Sequence, residues 1–217
     1  MSEFIQQAIQ WGMPLVFGIV LHEVAHGFVA YRLGDDTAMR AGRLTLNPIK
    51  HIDPVGTLLL PLLLIVTKSP FVFGWAKPVP VNFSRLRPQR SGMMWVALAG
   101  PLSNLAQAFL WAVILKLALP MAEQHNEVVG ILIKMAQIGV GINIMLMIFN
   151  LIPVPPLDGG RVIQALAPSQ WQQGLIHIER YGMLIVIVLL VSGILSNVLS
   201  PLMRWLTIGL YTLVGIL

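Results

Sequence analysis

The residues best suited to chemistry are His22, Glu23 and His26, which form a His-Glu-x-x-His pattern inside a long apolar segment. On a helix, residues four apart lie on one face, so both imidazoles can approach the same ion. Zinc accepts two histidines and a carboxylate and leaves its fourth position for water. Glu23 is placed to take a proton from that water. The pattern predicts one Zn²⁺ per chain, with His22 and His26 as ligands and Glu23 as the catalytic base.

An accidental match is the plain alternative to a metal site, and the apolar surroundings argue against it. Ionisable groups inside a membrane helix each cost about 2–3 kcal/mol near the bilayer centre. Helix packing does not offset that free-energy cost, whereas a bound metal replaces the hydration that these side chains have lost. The location therefore favours metal binding.

A third ligand is predicted from the stretch Asn150-Leu-Ile-Pro-Val-Pro-Pro-Leu-Asp-Gly-Gly160. Its three prolines must end the preceding helix, because proline lacks an N–H and clashes with the turn before it. The chain is then expected to run extended and to turn at Gly159-Gly160. Asp158 lies in this irregular stretch. Alone it resembles an ordinary turn aspartate, but the histidine pair lacks a third ligand, which favours metal binding by Asp158.

Two amides complete the set of candidate site residues. Asn104 lies early in the third apolar segment, and Asn150 lies near the end of the fourth. An amide N–H can stabilise a developing oxyanion or hold a substrate main chain, but asparagine also joins membrane helices by hydrogen bonds. Both interpretations stay open. His51 and Asp53 could be further ligands or part of a polar gate, although interface or turn positions suit them better.

Composition indicates that these residues lie in a membrane protein. Of 217 residues, 56% are hydrophobic and 11% are charged, and the mean hydropathy is +0.78. Water-soluble domains carry about 25% charged residues, and a soluble chain of this size could not bury so much apolar surface. The absence of cysteine excludes disulfides and thiolate zinc sites. The net charge of +5 does not indicate nucleic acid, because the basic residues flank apolar segments.

Five or six apolar segments must position the site. They run over about 4–33, 55–67, 92–119, 128–152, 182–199 and 201–217. No repeat or linker separates them, so residues 1–217 are predicted to form a single integral-membrane domain. The predicted fold class is an all-α membrane protein, a polytopic helical bundle.

Charge predicts the orientation of this bundle. Nine of the fourteen basic residues lie between the first and third segments: Arg32, Arg40, Arg43, Lys50, Lys68, Lys77, Arg85, Arg87 and Arg90. The positive-inside rule then places the N-terminus outside and residues 34–90 at the cytoplasmic side. The active site would face the cytoplasm, in a plasma membrane or a bacterial-type inner membrane.

The second segment conflicts with this orientation if it spans, because the third would then start outside beside Arg85, Arg87 and Arg90. We therefore expect residues 52–82 to form a re-entrant, β-hairpin-like region that enters the membrane and returns on the same side. Its return stretch, 71–81, has the composition of a strand, and its prolines allow only an edge strand. An ordinary spanning hairpin with a different topology is the alternative.

Three of these motifs together resemble the site-two protease family of intramembrane zinc metalloproteases, peptidase family M50. They are His22-Glu23-Val-Ala-His26, Gly100-Pro-Leu-Ser-Asn104, and Asn150-Leu-Ile-Pro153 leading to Leu157-Asp158-Gly159. The resemblance covers most of residues 15–165. It implies zinc held by His22, His26 and Asp158, Glu23 as base, Asn104 and Asn150 in contact with substrate, and a substrate strand added along residues 74–81. The chain looks like a short form without a PDZ or CBS domain.

The function predicted on this basis is hydrolysis of peptide bonds in or near transmembrane segments of membrane proteins, as in regulated intramembrane proteolysis. The expected partners are a transmembrane protein or peptide substrate and the lipid bilayer. A zinc or proton-coupled transporter would explain the ligands but not Glu23. A non-catalytic membrane scaffold with a structural zinc is a second rival function, and a protease that cleaves soluble or membrane-peripheral substrates is a third.

Overall fold

The computed structural model describes residues 3–67, 74–124 and 126–217, and helices dominate it. In chain order the α-helices are α1 (Glu3–Arg32), α2 (Thr37–Arg40), α3 (Leu60–Val66), α4 (Gln89–Ala118), α5 (Glu127–Asn150), α6 (Asp158–Leu166), α7 (Gln172–Val191) and α8 (Ile194–Val214). The long helices α1, α4 and α5 each pack against the other two. The short helix α6 packs on α4, and α8 packs on α4 and α5.

Small residues at the interfaces let the three long helices approach closely. Ala108 and Ala112 of α4 are fully buried against Val140 and Ile144 of α5. A Cβ on Gly139 would lie 2.5 Å from the indole of Trp111. Close packing of small residues is what holds helices together in lipid, where apolar side chains gain nothing by leaving the solvent.

The outward faces of the same helices are apolar, as a lipid solvent requires. Large side chains such as Phe17, Phe28 and Leu110 are exposed. Helices over residues 3–32, 89–122 and 127–150 are long and apolar enough to cross a bilayer, and α7 with α8 forms a fourth candidate span that is bent by 77°. The all-helical fold and the multi-pass membrane class are thus confirmed, whereas the five or six apolar segments with a re-entrant region are not.

The last two apolar segments divide at a different place from the prediction. The sequence pattern separates them near Pro201, but that proline lies inside α8. The break lies at Ser192 and Gly193, where Gly193 adopts φ +73°. A left-handed residue ends an α-helix and suits glycine, and this signal is weak in a uniformly apolar stretch.

The region predicted to re-enter the membrane starts and finishes at neighbouring places. A π-type helical turn, Pro54–Leu59, continues into α3. After residues 68–73, which are outside the described ranges, the main-chain N–H of Trp75 donates to Gly56 O (3.1 Å) and that of Lys77 to His51 O (3.0 Å). Residues 74–77 therefore lie beside the residues from which this helical segment begins.

The edge strand predicted over 71–81 is not found in its described part, residues 74–81, which carry no regular secondary structure. Main-chain groups of alternate residues here bond to irregular partners rather than to a neighbouring strand. Besides the two bonds above, Trp75 O accepts from the Thr57 hydroxyl (2.8 Å) and Lys77 O from the Arg43 guanidinium (2.7 Å). We call residues 74–79 the ribbon.

Asp35, just after α1, holds the chain that follows the ribbon. Its buried carboxylate accepts from Asn82 N (2.6 Å) and from Thr37 N (3.1 Å). Burial alone would raise the pKa of Asp35, but the hydrogen bonds from Thr37 and Asn82 and the charge of Arg85 outweigh it and lower the pKa below its ordinary value. The carboxylate is therefore ionised at neutral pH.

Candidate metal centre

Three predicted ligands, His22, His26 and Asp158, lie together although the third is distant in sequence. The Nε2 atoms of the two histidines are 3.0 Å apart. Asp158 Oδ2 lies 3.2 Å from His22 Nε2, and Asp158 Oδ1 lies 3.4 Å from His26 Nε2. Among the described residues, this is the group of histidine and carboxylate side chains close enough to share one metal ion.

The hydrogen bonds of the two imidazoles determine which ring nitrogen of each histidine turns its lone pair toward the centre. His22 Nδ1–H donates to Asn104 Oδ1, and His26 Nδ1–H donates to the main-chain carbonyl of Val96, both at 2.6 Å. Since both partners are oxygen acceptors, the proton of each neutral ring lies on Nδ1 and Nε2 is bare. Two imidazole lone pairs and a carboxylate then point at one another, which is unfavourable unless a cation lies between them.

The spacing fits zinc. In a tetrahedron with metal–ligand bonds of about 2.0–2.1 Å, neighbouring ligand atoms lie about 3.3 Å apart. The distance between the two Nε2 atoms, 3.0 Å, and the distances from each Nε2 to its nearer Asp158 oxygen, 3.2 and 3.4 Å, bracket that value. Moreover, Asp158 Oδ2 is a buried atom that has no hydrogen-bond partner among the described residues. The residues present therefore suit a three-ligand site that keeps one position open.

Gly100 on α4 lies directly against the side chains of both histidines. A Cβ at this position would lie 2.4 Å from His26 Nε2 and 2.5 Å from His22 Cε1, well inside contact distance. The glycine is part of a motif visible in the sequence, but its purpose is visible only once α4 is packed on α1. It allows the helix backbone to approach the metal ligands.

Gly100→Ala is therefore expected to displace the histidines and to weaken zinc binding at least tenfold, while the protein still folds. Competition with a chromophoric chelator measures the affinity. Gly141→Ala is the matched control, because a Cβ there would have no atom of the described residues within 4 Å. Wild-type zinc affinity in Gly100→Ala would show that the histidines do not bind metal through the atoms that face α4.

Asp158 reaches the centre from a helix and not from the predicted extended stretch. It is the first residue of α6, and Gly159 and Gly160 continue that helix rather than making a turn. A Cβ on Gly159 would lie 2.2 Å from Leu151 O, and one on Gly160 2.3 Å from Pro155 N. The glycines are thus required because the first turn of α6 packs on the proline-rich loop. The guanidinium of Arg161 pairs with Glu179 of α7 and braces the same turn.

Asn104 is fully buried behind His22 and joins three helices. Besides accepting from His22, its amide donates to Gly18 O of α1 (3.0 Å) and to Asn143 Oδ1 of α5 (2.9 Å). Both amide hydrogens are committed within the protein. Asn143, also fully buried, donates in turn to Gly139 O. Asn143 is not among the residues predicted from sequence, where its one signal is an amide within the apolar run Ile142–Ile144.

A cavity of about 180 Å³ opens beside His22 and Glu23. Gly74 and Ala76 of the ribbon line one side of it, and Asn150 lies on another. Asn150 donates to Leu146 O (2.9 Å), which aligns its side chain along α5. Glu23 Oε2 accepts from the main-chain N–H of Val79 (2.7 Å). The cavity thus brings together a predicted ligand, the predicted base, one predicted amide and the ribbon.

His51 and Asp53 have structural partners away from the metal ligands. His51 Nε2 lies 2.9 Å from Thr45 O. The carboxylate of Asp53 caps the turn that follows, accepting from Val55 N (3.0 Å) and Gly56 N (2.7 Å). Both residues shape the loop on which the ribbon lies, as expected for turn positions.

Sequence comparison places the chain among known proteins. The family model described as peptidase family M50 matches residues 117–193. A candidate zinc metalloprotease of Bacillus subtilis, YwhC, is 41% identical over 194 residues, which are 88% of this chain and 84% of that protein. A candidate zinc metalloprotease of Mycolicibacterium smegmatis, Rip2, is 31% identical over 93% of this chain and 73% of its own length.

A third relative, the candidate zinc metalloprotease MJ0611 of Methanocaldococcus jannaschii, is 29% identical over 68% of this chain and 65% of that protein. No solved structure matches the chain. The similarity to YwhC and Rip2 extends over most of both partners in each comparison, and the family match covers the loop and helix that carry Asp158. The chain therefore belongs to peptidase family M50.

Proposed function

We propose that this protein is an intramembrane zinc metalloprotease that hydrolyses peptide bonds in or near the transmembrane segments of membrane proteins, close to the cytoplasmic face. The observation that carries the proposal is the grouping of two bare imidazole nitrogens and a carboxylate at 3.0–3.4 Å, with Glu23 at the adjoining cavity. Relatives named as candidate zinc metalloproteases support both the metal and the reaction.

The roles of the side chains follow from what each contacts. Bound zinc supplies Lewis acidity, which polarises the scissile carbonyl and acidifies the attacking water. Glu23 takes the proton as the oxygen–carbon bond forms, then delivers it to the amine as the carbon–nitrogen bond breaks. Asn150 lines the cavity and is placed to contact the substrate or the oxyanion. Asn104, whose amide is fully engaged, serves as a positioning residue for His22 rather than contacting substrate.

The ribbon supports binding of an extended substrate. The N–H and carbonyl groups of Trp75 and Lys77 are occupied by hydrogen bonds within the protein. Ala76, between them, lines the cavity, and no hydrogen bond among the described residues uses its main-chain groups. We infer that a substrate adds as a strand along this open edge. A transmembrane helix must unwind before attack, and pairing here offsets part of the lost helix hydrogen bonds.

The membrane topology belongs to the same proposal. Residues 52–82 would enter the bilayer and return on the side where they began, which the hydrogen bonds from Trp75 and Lys77 back to residues 51–56 support. The helical segment from Pro54 to Leu64 is short for a span. With the N-terminus outside, α1 and α5 both run inward and bring His22 and Asn150 toward the cytoplasmic side.

The proposal is tested with purified protein in liposomes that also contain a labelled single-span substrate. We expect cleavage within a turn or two of the membrane boundary, located by mass spectrometry, abolished by a zinc chelator and restored by added zinc. A zinc-sensitive dye inside the liposomes distinguishes the transporter. Zinc flux without cleavage, or cleavage of a soluble peptide of the same sequence but not of the membrane form, would overturn the proposal.

A further inference from the structure

The proposed base is held by a contact that no sequence motif revealed. Glu23 Oε2 accepts a hydrogen bond of 2.7 Å from the main-chain N–H of Val79, whose side chain is 7% exposed. A bond from an amide to a carboxylate is charge-assisted and about twice as strong as a neutral one. It joins the first helix to the ribbon at the residue proposed to move the proton.

The residues on either side of Val79 have no main-chain N–H that could bond to Glu23 in its place. Val79 lies in Pro78-Val79-Pro80, and neither proline has a main-chain N–H. The prolines also fix their own φ angles and restrict the residue before each of them. The direction of the single N–H in this tripeptide is therefore largely set before any substrate binds.

Packing fixes the distance between the ribbon and α1. Gly27 lies one turn after Glu23 on the same helix face, and a Cβ there would lie 2.8 Å from Val79 Cγ1 and 2.6 Å from Leu44 Cδ2. The main chain of Lys77, two residues earlier, is held on both sides by His51 O and Arg43. The segment that carries Val79 is thus held by the bonds of Lys77, and Gly27 allows it to lie close to α1. The N–H of Val79 therefore points toward that helix.

From these contacts we propose that the main-chain N–H of Val79 is a positioning donor that orients Glu23, so that the segment receiving the substrate also sets the geometry of the base. This inference rests on the proposed function. With Oε2 held by Val79, the other carboxylate oxygen is left to take the proton from water. Without this bond, the three rotatable torsions of glutamate would spread the carboxylate over several positions.

The kinetic test removes the N–H. Val79→Pro is expected to keep about one zinc per chain and the KM of the wild type but to lose kcat about tenfold to a hundredfold, the effect typical of an orienting partner. Leu46→Pro is the matched control, because the same change at an exposed residue outside the ribbon removes an N–H that makes no hydrogen bond among the described residues. Equal kcat in these two variants, both folded and zinc-loaded, would overturn the inference.

A second variant reaches the same contact from the helix. Gly27→Ala retains every donor and acceptor but forces the ribbon away from α1, so it should also lower kcat with zinc retained. This variant keeps the test available if Val79→Pro does not fold. A Gly27→Ala enzyme with wild-type kcat would contradict the proposed coupling.

A spectroscopic readout needs no substrate. In protein labelled with ¹⁵N-valine, the Val79 amide signal is identified by its loss in Val79→Ile. We expect a downfield amide proton that moves upfield in Glu23→Ala, and an unmoved signal would overturn the inference even in an active enzyme. Failure of the proposed function would look different: zinc-loaded wild type would cleave no membrane substrate, while the amide would still respond to Glu23.

Discussion

Replacing Glu23 with Gln is expected to leave about one zinc per chain and to reduce peptide cleavage by about a hundredfold to ten-thousandfold. The amide has the size of the carboxylate and can still accept from the Val79 N–H, so the cavity keeps its shape. It cannot accept the proton of the attacking water. Zinc content by mass spectrometry and cleavage of a single-span substrate in liposomes measure the two effects separately.

The matched control for this variant is Glu3→Gln, which removes the same charge at the exposed start of α1, far along the helix from the histidines. Its cleavage rate should stay within about twofold of the wild type. Substantial turnover by Glu23→Gln would remove Glu23 from its role as base. Loss of zinc from that variant would instead assign Glu23 to metal binding.

Replacing Asp158 with Ala is expected to abolish cleavage and to weaken zinc binding by more than the tenfold to hundredfold typical of an orienting residue. It leaves two imidazoles, His22 and His26, to hold the ion without a neutralising carboxylate. Chelator competition measures the affinity. This variant is the strictest test of the contact between the first helix and α6.

Asp36→Ala provides the comparison for Asp158→Ala. Asp36 pairs with Arg40 and Arg85 in the loop after α1, so its loss removes a carboxylate without touching the metal centre. Zinc affinity should be unchanged in this control. If Asp158→Ala bound zinc as tightly as Asp36→Ala, a different third ligand would be required.

Much of the architecture could be predicted because it depends on local properties of the sequence. The spacing of His22 and His26 places them on one helix face wherever that helix lies. The predicted and observed limits of the first, third and fourth long segments differ by about three residues or fewer, because apolar length in lipid leaves few choices. Grouping Asp158 with the histidines required one further premise, namely that two histidines alone leave a zinc site without its third protein ligand.

What the sequence did not reveal depends on contacts between distant segments. For Asn104 the sequence left substrate contact and helix joining both open, because its bonds to His22, Gly18 and Asn143 depend on how three helices pack. The ribbon has strand-like composition, yet its hydrogen-bond partners are a carboxylate, a guanidinium, a hydroxyl and carbonyls of helical turns, which no pattern along the chain encodes. Likewise, the bend at Gly193 lies in a stretch where apolar residues continue on both sides.

The central claim is that His22, His26 and Asp158 hold a catalytic zinc, and X-ray absorption at the zinc edge of purified, active wild-type protein tests it most directly. We predict about one zinc per chain, with nitrogen and oxygen ligands at about 2.0–2.2 Å, scattering from two imidazoles, and a coordination position filled by water. Folded wild-type protein that takes up no zinc, or that binds zinc without imidazole scattering, would contradict it.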